Sequence, residues 1–263
     1  MRVIGFLSDY GSRDPYVGEV KAVLIGRCPD AIVIDITHEV DPFNVLQGAF
    51  LLRTAYRFFP KGSIFLAVVD PGVGTERRGV VIKTKNYWFV GPDNGLLYPS
   101  AVEDGIEECF EVQLSGYARY GCETFHGRDV FAPVVCELHS GLTPHVRPLD
   151  PKELVTLELE GPKSSEREVI ARVLHVDRFG NCITNVGLSS LPPWMEFGSR
   201  YKVSVGSRTI EASLVRAYGI VGSGDFLLTL GGTGYLELSV NRGSAASELG
   251  VKAGDVLKIK RTA

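Results

Sequence analysis

The first residues in this chain that could do chemistry are an aspartate at the end of an apolar run and two arginines after a glycine-rich turn. The stretch reads Val68-Val69-Asp70-Pro71-Gly72-Val73-Gly74-Thr75-Glu76-Arg77-Arg78. A carboxylate can take a proton and a guanidinium can stabilise developing negative charge, so the pair suits general-base or electrostatic catalysis. Pro71-Gly72 ends the strand abruptly, and Gly72 and Gly74 let the backbone come close to a ligand. On this loop alone, a catalytic corner and a tight turn with a solvent-facing ion pair both remain open.

Three further stretches carry reactive side chains. Ser8-Asp9-Tyr10-Gly11 follows an apolar run, and a carboxylate there could accept both hydroxyls of a ribose or cap a helix. Phe125-His126-Gly127-Arg128-Asp129 precedes a helical pattern, and His126 could serve as a general base near neutral pH or as a structural histidine. Asp177-Arg178-Phe179-Gly180-Asn181 offers a carboxylate, an aromatic face and an amide within one turn. Gly231-Gly232-Thr233-Gly234 reads as a hairpin. Neither a dinucleotide glycine fingerprint after the first strand nor a phosphate-cradling loop occurs.

The elements that must position these residues change character along the chain. Residues 2–7, 31–36 and 63–69 are short apolar strands. Between them lie a helix opened by Asp14-Pro15, with Val17, Val20, Val23 and Leu24 on one side, and a helix over residues 42–58 opened by Asp41-Pro42. Residues 79–84 and 87–90 form a hairpin, and residues 127–139 a helix closing at Gly141. Alternating strands and helices predict an α/β N-terminal domain with a largely parallel central sheet, covering residues 1–160. After a linker at residues 161–166, short strands separated by Gly, Ser and Asn predict a smaller all-β, barrel-like C-terminal domain over residues 167–263.

Composition narrows the class further. The 263 residues are 44% hydrophobic and 22% charged with a formal net charge of -3, the profile of a soluble globular protein with no basic footprint for nucleic acid and no span for a membrane. With no leader visible, the cytoplasm is the expected compartment. Five widely spaced cysteines without a Cys-x-x-Cys pair argue against a disulfide framework, so Cys28, Cys109, Cys122, Cys136 and Cys182 each read as small buried hydrophobes. Dispersed histidines argue against a tightly held metal.

In order, Ser-Asp-Tyr-Gly, Asp-Pro-Gly-Val-Gly-Thr-Glu-Arg-Arg, Gly-Pro-Asp-Asn-Gly-Leu-Leu at residues 91–97, Phe-His-Gly-Arg-Asp and Asp-Arg-Phe-Gly-Asn-Cys-Ile-Thr-Asn span essentially the whole chain. Together they resemble the S-adenosylmethionine hydroxide adenosyltransferase family, relatives of fluorinase and chlorinase. The resemblance implies an enzyme that uses water to split S-adenosyl-L-methionine into adenosine and L-methionine, with no cofactor and no metal. It implies a catalytic trio of Asp70, Arg77 and His126, with Arg78 the neighbour that could replace Arg77. It also implies that Asp9 binds the ribose hydroxyls, that Phe43, Phe125 and Gly127 wall the reacting region, and that Asp177 holds the methionine amine. Phe179 and Tyr218 would flank adenine and Asn181 would read its edge. The family forms a homotrimer with sites between the N-terminal domain of one subunit and the C-terminal domain of the next. A non-catalytic S-adenosylmethionine-binding protein and a halogenase remain as alternatives. The carboxylate and imidazole at positions 70 and 126, where fluorinase has tyrosines, favour water over halide as the nucleophile.

Overall fold

A strand that is apolar at every position must be covered on both faces, and residues 64–68 meet that condition at the centre of the first unit. The computed structural model describes residues 3–117 and 123–262, and the chain divides into two compact units, residues up to Glu158 and residues from Leu159 onward. The first unit runs β1 (Val3–Ser8), α1 (Tyr16–Arg27), β2 (Ile32–Thr37), α2 (Val45–Ala55), β3 (Ile64–Val68), β4 (Gly79–Thr84), β5 (Trp88–Pro92), α3 (Tyr98–Asp104), β6 (Ile106–Val112), α4 (Ala132–His139) and β7 (Val146–Leu149). Its seven-stranded sheet has the order β2-β1-β3-β5-β4-β6-β7. Strands β2, β1, β3 and β5 are parallel to one another, and β4, β6 and β7 add antiparallel pairings on one side.

Every side chain of β3 is buried. On one face of the sheet, Ile4, Phe6 and Leu66 pack with Val20 and Leu24 of α1 and Val134, Val135 and Leu138 of α4. On the other, Phe65, Ala67 and Phe89 pack with Ala49 and Leu52 of α2 and Ala101 of α3. Burying each large apolar side chain contributes about 1.5–3 kcal/mol, which makes these two layers the main support of the sheet. The loops that leave β1, β2 and β3 therefore start from rigid ends along one edge.

Two helix starts differ from the expectation. Helix α2 begins at Val45 with Asn44 as its N-cap, the Asn44 side chain accepting from Gln47 N at 3.1 Å, and not at Pro42. The reason lies one residue earlier: Phe43 has a positive φ of 67° and its N–H is given to the Asp9 carboxylate, so residues 41–43 are drawn away from helical geometry. Helix α1 follows Asp14-Pro15, but Pro15 is the cap position and Asp14 makes no capping bond. The single helix expected from Gly127 starts as a π turn over Gly127–Phe131 before continuing as α4, a local widening that often accompanies functional positions.

The second unit contains β8 (Lys163–Ser164), β9 (Glu168–Val176), β10 (Cys182–Gly187), β11 (Arg200–Val205), β12 (Arg208–Leu214), β13 (Phe226–Leu230), β14 (Tyr235–Val240), α5 (Ala245–Leu249) and β15 (Val256–Arg261). Its sheet order is β10-β14-β13-β12-β11-β15-β9-β8, and an additional pairing of β10 with β9 closes it into a barrel around Tyr201, Leu214, Leu228, Leu238 and Leu257. Residues 163 and 164, expected in a linker, instead pair with β9 as a short strand. The hairpin at residues 231–234 joins β13 to β14, with Gly234 at φ 80°.

The cysteines need correction. Cys109 and Cys182 are buried and free, but Cys28 at the end of α1 and Cys136 in α4 are paired as a disulfide, their Cα atoms 5.4 Å apart across the α1–α4 contact. Spacing along the chain could not reveal it, because 108 residues separate the two and only helix packing brings them together. Cys122 lies outside the described residues. Denatured without reductant, the protein should titrate as three thiols, and as five after reduction, given its five cysteines and one bond. Five thiols before reduction would show that the pair is not oxidised.

Candidate active site

Three segments that leave the sheet at different points meet over the end of β3. Asp70 stands two residues beyond β3, Arg77 two residues before β4, and His126 immediately before the π turn. Asn94 braces the first of these by donating Nδ2 to the Val69 carbonyl at 2.8 Å. Gly74, at φ 76°, lets the intervening turn fold back against the Glu123 carbonyl, a conformation a side chain would strain.

The Arg77 guanidinium joins the cluster. Its Nε donates to Asp70 Oδ1 at 2.9 Å and to Oδ2 at 3.1 Å, and its Nη2 donates to Asp70 Oδ2 and to His126 Nδ1, the last at 2.8 Å. The side chains of Arg77 and Asp70 are only 10% and 5% exposed, so this is a buried pair and not the solvent-facing one the turn could have held. The Phe131 ring lies under the guanidinium carbon at 5.3 Å. Arg77 Nη1 is buried with no hydrogen-bond partner among the described residues. Arg78 turns elsewhere: its Nε donates to Asp93 Oδ2 at 3.0 Å and its Nη2 to the Glu153 carbonyl. Of the two adjacent arginines, only Arg77 meets Asp70.

Arginine has only donors, so His126 Nδ1 must accept, and the neutral ring carries its proton on Nε2. Burial and the neighbouring Arg77 charge both lower the His126 pKa from its usual 6.5, against opposing pulls from Asp70, Glu123 and Asp129. A neutral imidazole whose Nδ1 is engaged by Arg77 is a hydrogen-bond donor through Nε2. In that tautomer Nε2 carries a proton, and the carboxylate of Asp70 is the group of the trio with acceptor oxygens only.

A cavity of about 240 Å³ lies over this cluster, lined among others by Asp9, Tyr10, Phe43, Asp70, Phe125 and His126. Asp9 Oδ2 accepts from Phe43 N at 2.9 Å, and burial raises the Asp9 pKa more than that bond lowers it. Gly127 is required by the close approach of Tyr10, whose hydroxyl oxygen would overlap any Cβ placed there. Tyr10 itself packs edge-on against Phe125 at 5.5 Å, and burial raises its pKa, which keeps it protonated. Tyr10 was not singled out by the sequence, although its place beside Asp9 at a strand end was a usable signal. Arg128 of the same motif points into a structural ion cluster with Asp129 and Glu19.

The remaining candidates gather in the second unit. Asp177, Phe179, Asn181 and Tyr218 line a cavity of about 720 Å³ together with Arg242 and Ser244. The Asp177 carboxylate caps its own turn, accepting from Phe179 N, Asn181 N and Asn181 Nδ2, each at 2.9 Å. Phe179 is 75% exposed and presents a free aromatic face, while the Tyr218 hydroxyl is anchored to Glu237, a buried carboxylate whose pKa burial raises. The expected residues thus form two sets, one in each unit. Among the described residues no group of three His, Cys, Asp or Glu side chains is arranged to hold a metal ion, and no helix is long and apolar enough to cross a membrane.

Comparison with known proteins is consistent across the chain. Residues 4–147 match the family described as SAM hydroxide adenosyltransferase N-terminal domain, and residues 171–258 match the corresponding C-terminal domain. The chain is 40% identical to the (R)-S-adenosyl-L-methionine hydrolase of Thermus thermophilus, over 97% of this chain and 98% of that one. It is 34% identical to the hydrolase of the same name from Methanocaldococcus jannaschii, over 98% and 95% of the two chains. The fluorinase of Nocardia brasiliensis is more distant at 28% identity, over 98% and 96%. Among solved structures, an uncharacterized conserved protein from Thermotoga maritima superposes with a TM-score of 0.91 at 40% identity, covering 98% of this chain and all of that one.

The electrostatics of the cluster carry a sign that can be measured. Because the folded pKa of His126 lies below the unfolded one, its contribution to stability is complete above 6.5 and is lost as the pH falls through that value toward the depressed one. A histidine-selective NMR titration should show the Nε2–H tautomer with a midpoint below 6.5, and Arg77→Gln should move that midpoint upward. A midpoint at or above the usual value would contradict the arrangement.

Proposed function

The chain belongs to the SAM hydroxide adenosyltransferase family, and we propose that Asp70, Arg77 and His126 are the groups with which it attacks its substrate. The protein is an enzyme that hydrolyses S-adenosyl-L-methionine to adenosine and L-methionine. The observation that carries the assignment of the three residues is the buried Arg77 guanidinium, which bridges Asp70 and His126 beside the cavity at the strand ends.

Water has a pKa of about 15.7, so forming free hydroxide before attack would be costly. The proton need not leave first. As the oxygen bonds to the ribose C5′, the C5′–S bond breaks, its electron pair passes to sulfur, and the attacking oxygen becomes acidic. Asp70 then takes the proton, and a carboxylate is a strong enough base for that late transfer. Arg77 fixes Asp70 and His126, and His126 Nε2–H is the single donor to the oxygen, so one lone pair stays free to attack; such positioning serves the roughly 3–3.5 Å approach that attack requires. Loss of the sulfonium charge in the transition state favours a site that excludes bulk water and supplies fixed dipoles.

The rest of the substrate is assigned to the remaining residues. Asp9 accepts the ribose hydroxyls, its carboxylate pre-set by Phe43 N–H. Phe43, Phe125 and Gly127 shape the reacting region. Phe179 and Tyr218 flank adenine, Asn181 reads its edge, and Asp177 takes the methionine amine. We propose that the enzyme is a cytoplasmic homotrimer without a cofactor, in which the first unit of one subunit and the second unit of its neighbour complete each site. The division of the candidate residues into two sets, one in each unit, supports that picture.

Reaction in H₂¹⁸O should place one labelled oxygen in adenosine and none in methionine, and added chloride should give no halogenated nucleoside. Asp70→Asn should lower kcat by about 10²–10⁴ while adenosine binding stays close to that of the unmodified enzyme, and unchanged turnover would remove Asp70 from the mechanism. Light scattering should give three times the chain mass, whereas a fully active monomer would refute the shared site.

A further inference from the structure

The pairing of β1 with β2 slips by one residue near its end: Phe6 faces Asp35 but Leu7 faces Thr37. This bulge brings the next residues of the two strands, Ser8 and His38, side by side. His38 Nδ1 lies 2.7 Å from Ser8 Oγ, and the imidazole meets the Phe6 ring edge-on at 4.5 Å. Ser8 is fully buried, so its hydroxyl proton needs an acceptor inside the protein, and His38 Nδ1 is placed to be one. The Ser8 oxygen in turn receives Tyr10 N–H at 3.4 Å.

The far side of the ring is equally specific. His38 Nε2 faces Asp35 Oδ1 at 3.1 Å, somewhat off the line of a good hydrogen bond, and the other Asp35 oxygen accepts from Lys21 Nζ of α1 at 2.6 Å. Lys21, Asp35 and Glu39 are the charged groups that act on His38. Burial outweighs the two carboxylates and lowers its pKa, in keeping with a neutral ring that accepts through Nδ1. The His38 backbone adds a second tie, its carbonyl accepting Gly11 N at 2.7 Å. One residue of the β2–α2 connection therefore grips the β1–α1 connection on both sides of Asp9, through Ser8 before it and Gly11 after it.

We propose that His38 is a positioning residue for Asp9, fixing the direction of the carboxylate that receives the ribose hydroxyls. The proposal rests on the assignment of Asp9 to the ribose. His38 does not line the cavity, so it acts only through the segment it clamps. Without the imidazole, Asp9 keeps its bond from Phe43 N and the Gly11 tie to the residue 38 carbonyl but loses the support at Ser8, and the two-point fit to vicinal hydroxyls suffers while contacts to the base do not.

The test measures dissociation constants of adenosine and 2′,3′-dideoxyadenosine for the full-length enzyme and its variants by calorimetry. The unmodified enzyme should prefer adenosine, and Asp9→Ala should abolish the preference. If the unmodified enzyme shows no preference, or Asp9→Ala retains it, the ribose assignment falls and the proposal with it. Given that preference, His38→Ala should reduce it about tenfold, the worth of one hydrogen bond to a charged group, with dideoxyadenosine affinity unchanged. His38→Asn, whose amide oxygen can stand in for Nδ1, should restore it. Full preference in His38→Ala, or equal weakening toward both nucleosides, would overturn the positioning role. Ser8→Ala removes the other half of the bond and should show the same selective loss, so that variant decides the matter if His38→Ala does not fold.

Discussion

A guanidinium that is nine-tenths buried is the constraint around which the first unit is organised. Taking an ion out of water costs several kcal/mol even after the protein relaxes, and the cost is met only when partners are held in good geometry. Arg77 has a carboxylate in two-point contact, an imidazole nitrogen and an aromatic face. The carboxylate comes from the end of β3, and the imidazole and the ring come from the turn that opens α4. The sheet must therefore end in register, Gly74 must turn, and the helix after Gly127 must begin where it does, or a buried charge is left unpaired.

The same burial sets the protonation of the neighbours. It penalises the charged form of His126 and of Asp9, and it holds Tyr10 as a phenol. A neutral His126 bound through Nδ1 is a donor, so the cluster presents one acceptor, Asp70, among donors. That asymmetry suits a nucleophile which arrives with a proton and must lose it in one direction. A halide would have no proton for Asp70 to receive. The carboxylates of Asp9 and Asp70 line one cavity, and the charge of Arg77 offsets that of Asp70.

Much of this was readable along the chain, and the failures have physical causes. The strand at residues 64–68 and the glycine turn after it announce themselves because burial on both faces leaves no polar position. Helix α2 was read as starting three residues too early because Asp41-Pro42 is a good local start, and only the distant Asp9 carboxylate explains why Phe43 leaves the helix. Strands β12 and β15 are faint along the chain, since a barrel strand with one wet face alternates polar or charged residues with apolar ones and lacks a continuous run. The Cys28–Cys136 pair was invisible for the same kind of reason, as helix packing is not written in spacing.

The sequence by itself determined which chemistry was available and roughly where: carboxylates, an imidazole and arginines at the ends of strands, in an α/β unit followed by a β unit, in an order that resembles one enzyme family. Those features are local, since side-chain type and the signals that end a strand act over a few residues. Tertiary structure alone decided which arginine meets Asp70, which nitrogen of His126 holds the proton, and that His38 ties Ser8 and Gly11 on either side of Asp9. Adjacent residues on a strand or turn point in different directions, and hydrogen-bond partners far apart in the chain are chosen by sheet register and burial, so those choices exist only once the chain has folded.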